Sequence, residues 1–190
     1  MGDSTRAPEI AAELVAACQR GDRQAFRTLF EAHQAPMFRL AYRFVRNADE
    51  AADLTQDIFL RVFERIGTFR CECAFSTWLY RLATNVCLNH IRRPRESTSY
   101  AQMEPRAARD DPAKEAVLGE MTEQVVTAVD LLPDSLRAAF ILVVMEDFTY
   151  REAADALTVS VEAVRMRVSR ARRELRTTLK PYLDGGKDVG

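Results

Sequence analysis

The stretch from Thr149 to Leu179 leaves the backbone few choices. Read from Phe148 it runs FTYREAADALTVSVEAVRMRVSRARRELRTTL. Thr149 is a natural N-cap, and Glu152 three residues later completes a capping box. Ala153, Ala154 and Leu157 give the helix that follows a small apolar face. Thr158-Val159-Ser160 is polar and β-branched and disfavours its continuation, while Ser160 can cap a second helix. In that second helix Val161, Val164, Val168, Ala171 and Leu175 recur at three- and four-residue steps and form one buried stripe. Arg165, Arg167, Arg170, Arg172, Arg173 and Arg176 fall mostly off it. A short helix, a tight turn and a longer arginine-bearing helix make a helix-turn-helix, which places its second helix in the DNA major groove. The same arginines also suit a plain solvated face, with Glu174 pairing with Arg170 at i, i+4.

Charge distribution bears on that choice. The net charge is only −1, yet residues 161–180 carry seven basic and two acidic side chains, and residues 104–130 carry three basic and seven acidic. A locally basic helix in a near-neutral chain suits a protein that meets phosphate with selected faces. The N-terminus MGDSTRAPEI has no apolar signal core. It opens with Met1-Gly2, but Arg6 stands where a myristoylation signal needs Ser or Thr. The longest apolar run, Ala138 to Met145, is too short to cross a membrane. Four scattered cysteines, Cys18, Cys71, Cys73 and Cys87, make no disulfide scaffold. A cytoplasmic location without membrane contact is expected. No phosphate-cradling glycine loop, hydrolase metal spacing or nucleophile elbow is present.

Helical periodicity organises the rest. A helix is expected over Pro8 to Arg20, ended by Gly21. Asp22 caps the next, Arg23 to Arg46, with a kink or break at Pro36. Asp49 opens a third helix to Ile66, closed by Gly67, with Leu54, Ile58, Val62 and Ile66 as its core stripe. Ser76 caps a fourth, Thr77 to Arg93, stopped by Pro94. Residues 95–111 lack apolar periodicity and read as linker. Asp111-Pro112 starts a fifth helix to about Asp130, Pro133 opens a sixth to Glu146, and Pro181 ends the last. There is no convincing strand and no internal repeat. The expected fold is all-α: two small helical domains, residues 8–95 and 112–182, on a flexible linker over 96–111. The two are not expected to form one fixed body.

Two segments carry a family resemblance. DEAADLTQDIFLRVFERIGTF followed by FSTWLYRLATNVCLNHIRR resembles region 2 of a bacterial sigma factor. LPDSLRAAFILVVMEDFTYREAADALTVSVEAVRMRVSRARREL resembles region 4. The order and spacing, over about residues 10–180, resemble the extracytoplasmic-function (ECF) subfamily of the sigma-70 family. Two positions depart from the pattern. The region 4 turn usually reads Leu-Gly, and here reads Leu157-Thr158. The loop before the Trp helix often reads Phe-Arg-Gly-Glu, and here reads Phe69-Arg70-Cys71-Glu72.

The resemblance implies no enzyme, no cofactor and no metal. It implies a factor that binds the clamp coiled coil and flap of core RNA polymerase, directs it to promoter DNA, and commonly answers to an anti-sigma factor. Asp53, Gln56 and Asp57 share one side of the third helix, which in region 2 docks on the clamp. On composition alone they are a solvated helix face. For the −10 element, the segment from Cys73 to Arg95 has no acidic residue. Within it Asn85 and Asn89 can bond base edges, and Arg81, Arg92 and Arg93 can hold phosphate. Trp78 suits the core better than a stacking platform. For the −35 element, Glu162, Arg165, Met166 and Ser169 are the candidates for base edges, and Arg167, Arg170, Arg172 and Arg173 for phosphate.

Two rival readings remain. One is a two-domain regulator that binds duplex DNA without polymerase. The other is a metal- or thiol-responsive protein using Cys71, Cys73, Cys87 and His90, a chemically possible zinc set whose Cys-x-Cys spacing is not the common one.

Overall fold

The computed structural model describes residues 10–92 and 124–184, with side chains to residue 182. All regular elements among them are helical. Helix α1 spans Ala12–Gln19. Gly21 then takes φ +85°, a left-handed value cheap only for glycine. Its N–H bonds the Cys18 carbonyl at 2.9 Å, closing the helix end. The Asp22 carboxylate accepts from Gln24 N at 2.8 Å and Ala25 N at 3.1 Å, which starts α2, Arg23–Val45. Asn47, rather than Asp49, caps α3, Ala48–Arg65, accepting from Glu50 N at 2.9 Å. A 3₁₀ turn, Ile66–Thr68, replaces the expected Gly67 cap. The Gln19 amide binds it from α1, donating to the carbonyls of Ile66 at 3.0 Å and Phe69 at 2.8 Å. Helix α4 spans Phe75–Arg92, and the expected cap Ser76 is buried inside its first turn.

The second half starts with α5, residues 124–130. Helix α6, Asp134–Phe140, passes directly into a π-helical turn, Ile141–Met145. Helix α7 is Tyr150–Leu157 and α8 is Val161–Asp184. The Thr149–Glu152 capping box is formed in both directions. Ser160 Oγ accepts from Ala163 N at 3.1 Å, as expected of the second cap. Val164, Val168, Ala171 and Leu175 are buried, and Val161 is half-buried.

Two proline expectations need correction. Of the kink or break expected at Pro36, the break is absent: helix α2 continues through this buried proline, because core packing on both sides outweighs one lost backbone bond. Helix α8 continues through Pro181 to Asp184, since the proline φ itself is helical. The expected linker 96–111, the Asp111-Pro112 helix start and Pro8 lie outside the described residues.

The larger correction concerns the two halves, which pack on each other. One core cluster runs from Leu29, Leu40 and Ile58 through Leu79, Tyr80 and Ala83 into Ile141, Leu142, Phe148, Ala153 and Ala154. A smaller cluster, including Val129, Leu132, Leu136, Ala171 and Leu175, stays within the second half. The π turn accounts for the docking. Its wide closure, Glu146 N to Ile141 O at 3.0 Å, sends Glu146 and Phe148 toward the first half. Glu146 is fully buried. Its carboxylate accepts from the Tyr80 hydroxyl at 2.8 Å and from the Arg43 guanidinium, which also donates to the Met145 carbonyl at 2.7 Å. Burial pushes the Glu146 carboxyl up, while Arg43 and Tyr80 pull it back. The Tyr80 ring lies 4.7 Å from that of Phe148.

Thr158 sits at φ 55°, ψ 49°, the left-handed region. A β-branched side chain there costs about 1–2 kcal/mol. Replacing it with glycine removes that strain but loosens the unfolded chain by somewhat less. Thr158→Gly is therefore expected to stabilise by about 0.5–1 kcal/mol and raise Tm by about 1–4 °C in a thermal melt. A lowered Tm would show that Thr158 makes a compensating contact.

Candidate nucleic-acid interface

Helix α4 presents its basic side as one line. Arg81, Asn85, Asn89 and Arg92 follow at steps of four, four and three, and all four are exposed. The opposite side carries Leu79, Tyr80, Ala83, Val86 and Cys87 into the core. The structure therefore brings the expected −10 residues together, except Arg93, which lies outside the described residues. Arg92 is not open to water alone: its Nε bonds Asp134 of α6 at 3.0 Å. Trp78 is half-buried, with ring centres of Phe69 at 5.4 Å and Phe75 at 5.6 Å, which places it on the core side. In the loop ahead of α4, Cys71 adopts φ 56°, a left-handed value where the resembled pattern has glycine.

Helix α8 sorts its residues by angle. At roughly 100° per residue, Glu162, Met166 and Ser169 point away from the buried stripe, and Arg173 lies on the same face further along. Arg165 and Arg172 flank that face on one side, Arg170 and Arg167 on the other. All are exposed except Arg167, which is half-buried. The Arg165 guanidinium rests 5.8 Å from the centre of the Tyr150 ring, so α7 helps to hold it.

On α3, Asp53, Gln56 and Asp57 are exposed and share one face. Two apolar residues that the sequence reading did not single out extend it. Leu60 and Phe63 are each 62% exposed. The Phe63 ring is steadied edge-on by Phe26, centres 5.2 Å apart. Their signal was present: DIFLRVF has more apolar residues than one buried stripe can use.

The thiols do not assemble. Cys71 and Cys73 are exposed, Cys18 and Cys87 buried. Burial pushes the Cys87 thiol up to about 12. His90 lies 3.2 Å from Glu50 instead. Among the described residues no group of three or more His, Cys, Asp or Glu is placed to hold a metal ion. No helix among them is long and apolar enough to cross a membrane.

Comparison with known proteins adds to this geometry. Residues 29–97 match the family model of Sigma-70 region 2, and residues 122–175 that of Sigma-70, region 4. The RNA polymerase sigma-H factor of Pseudomonas aeruginosa is 35% identical over 182 residues, covering 90% of this chain and 94% of that protein. The ECF RNA polymerase sigma factor SigM of Mycobacterium tuberculosis is 35% identical over 184 residues, covering 94% and 88%. Among solved structures, CnrH in complex with the cytosolic domain of CnrY superposes with a TM-score of 0.67 at 24% identity, covering 89% of this chain and 96% of that one. RpoE of Bartonella quintana, solved with the anti-sigma factor NepR, gives 0.65 at 22% identity, covering 83% and 98%. With both regions matched in order and relatives aligned over nearly their whole length, the chain belongs to the sigma-70 family of RNA polymerase sigma factors and, within it, to the ECF subfamily.

Proposed function

We propose that this chain binds core RNA polymerase in the cytoplasm and directs it to the promoters of a stress or signal regulon, performing no catalysis itself. The observation that carries the reading is the pair of exposed basic reader surfaces, the α4 line and the outer face of α8, in one chain matched to both regions. Domain limits of 8–95 and 112–182 are part of this reading, supported by family matches over residues 29–97 and 122–175. Asp53, Gln56 and Asp57, joined by Leu60 and Phe63, dock the polymerase clamp. Exposed aromatic and apolar side chains beside a polar face are common anchors of an interface. Arg81, Asn85, Asn89, Arg92 and Arg93 engage the −10 element. Unstacked bases there meet the exposed asparagines, with phosphate-binding arginines before and after them along the helix. Glu162, Arg165, Met166 and Ser169 read the −35 element, with Arg167, Arg170, Arg172 and Arg173 on phosphate. An anti-sigma factor is a further partner, as NepR is for RpoE of Bartonella quintana.

Run-off transcription with core polymerase, on DNA upstream of the protein's own gene, tests the reading. A defined transcript that requires both proteins supports it. Tight, polymerase-independent shifting of that DNA without transcription would favour a free-standing regulator.

Within region 4 two arginines should differ in kind. Arg165→Ala is expected to cost about 1–3 kcal/mol at particular −35 base pairs and to relax preference there. Arg172→Ala should weaken all promoters alike and lower the salt slope by about one. Promoter affinities over a set of −35 variants and salt concentrations check this. Equal loss on every variant for both mutants removes Arg165 as a base reader.

A further inference from the structure

The four cysteines share no single site, but Cys71 and Cys73 stand two residues apart in one loop, and both are exposed. Cys18 and Cys87 are buried, and burial pushes the Cys87 thiol up to about 12. An oxidant arriving from water therefore meets the loop pair first.

The loop holds that pair close. Phe69 and Phe75 bound it, both buried, with ring centres 5.6 Å apart. The Gln19 amide fixes the Phe69 carbonyl at 2.8 Å. Residues 70–74 must leave and return between these anchors, and the backbone bends through Cys71, Glu72 and Cys73. Even fully extended, two residues separate α-carbons by at most about 7 Å. A disulfide spans about 4.4–6.8 Å, so bridging the pair needs only a local adjustment of an exposed loop. Cys71 also occupies the left-handed region, at φ 56°. A β-carbon is disfavoured there, and an exposed side chain offsets little of that by burial. A strained backbone that carries a thiol without a packing role points to use of the thiol.

We propose that Cys71 and Cys73 are a reversible dithiol couple, which hydroperoxides oxidise to a disulfide within the loop. One thiolate attacks a peroxide oxygen and breaks the O–O bond. The sulfur becomes a sulfenic acid, and the departing hydroxide takes up the proton the thiol released, forming water. The second thiol then attacks the sulfenic sulfur, the S–S bond forms and a second water leaves. Two thiols are oxidised, and one hydrogen peroxide is reduced to two waters. A bridge across so short and exposed a loop is readily reopened by thiol reductants. Its consequence rests on the promoter-reading assignment above. Cys73 lies two residues ahead of α4, and Arg81 of the −10 line stands about 9 Å along that helix from Phe75. A cross-linked loop cannot adjust to unstacked bases beside it, so oxidation weakens promoter opening.

The full-length protein is treated with hydrogen peroxide, which catalase removes before polymerase is added. Arg70 and Arg81 flank the pair, so trypsin releases both thiols on one peptide. That peptide should become lighter by two hydrogens and recover with dithiothreitol, while Cys18 and Cys87 stay reduced. Helix content by circular dichroism should not change. Open complex on a duplex promoter should fall at least about threefold and return with dithiothreitol, as the competent fraction does. Core-polymerase affinity should hold. The double variant Cys71→Ser, Cys73→Ser should show no response to peroxide. Both thiols persisting, a bond between two copies, or oxidation past the disulfide to sulfinic acid overturns the couple. A bridged loop with undiminished opening overturns its effect on promoters, as does an equal loss in the serine variant. If the reduced protein opens no promoter with polymerase, the promoter-reading assignment fails, and the peptide mass still decides the thiol chemistry.

Discussion

Replacing Asp53, Gln56 and Asp57 together with alanine is expected to weaken core-polymerase binding at least tenfold, about 1.4 kcal/mol. All three lie exposed on the middle turns of α3, away from its buried stripe of Leu54, Ile58 and Val62. Alanine has a higher helix propensity than Asp or Gln, so the isolated helix gains a few tenths of a kcal/mol per site. The thermal melt should hold or rise while binding falls, which separates a lost contact from a lost fold. Phe63→Ala should give a loss of similar size, since an exposed aromatic steadied by Phe26 is a preorganised anchor. Titration of labelled core polymerase measures both. Native affinity in the triple variant would move the docking face elsewhere on region 2.

Asn85→Ala with Asn89→Ala should leave polymerase affinity intact and abolish most open-complex formation. The two amides stand one turn apart on the exposed line of α4, outside the core. Each can offer two hydrogen bonds to a base edge, and bidentate contacts of this kind are worth about 1–3 kcal/mol. Losing both predicts at least a tenfold drop in open complex on duplex promoters. A premelted bubble at the −10 element should rescue much of that loss if the amides act in opening, and little if they hold bases already exposed. Failure to bind polymerase, or normal transcription of duplex DNA, would overturn the assignment.

The local architecture was legible because it is written in short-range rules. Thr149 and Glu152 announced α7, Ser160 announced α8, and the 54-58-62 spacing announced the buried side of α3. Thr158 and Cys71 stood out in the sequence as departures from the family pattern, but that both keep a left-handed backbone is known only from the structure. Domain docking was not legible. Tyr80 and Phe148 each look like an ordinary core residue of its own half. The partner of Glu146, Arg43, is 103 residues away, and no periodicity links them. The apolar run Ile141–Met145 fits an α-helix as well as a π turn, so nothing marked where the chain would swing outward. Leu60 and Phe63 were passed over because apolar residues on a core helix draw no notice until their exposure is known.

The core that runs from Leu29 to Phe148 also sets the unit of unfolding. Once the two halves share apolar surface, neither melts without exposing the face of the other. In the docked state a calorimetric scan should show one cooperative transition, with a van't Hoff enthalpy close to the measured heat. Cutting the chain into its two family segments divides that shared core. The region 4 piece then carries Phe148, Ala153 and Ala154, and the charge of Glu146, into water, while the region 2 piece carries Tyr80. Each fragment would have a lower melting point than the intact chain, and a newly bared apolar patch would make association between fragments their main failure in solution.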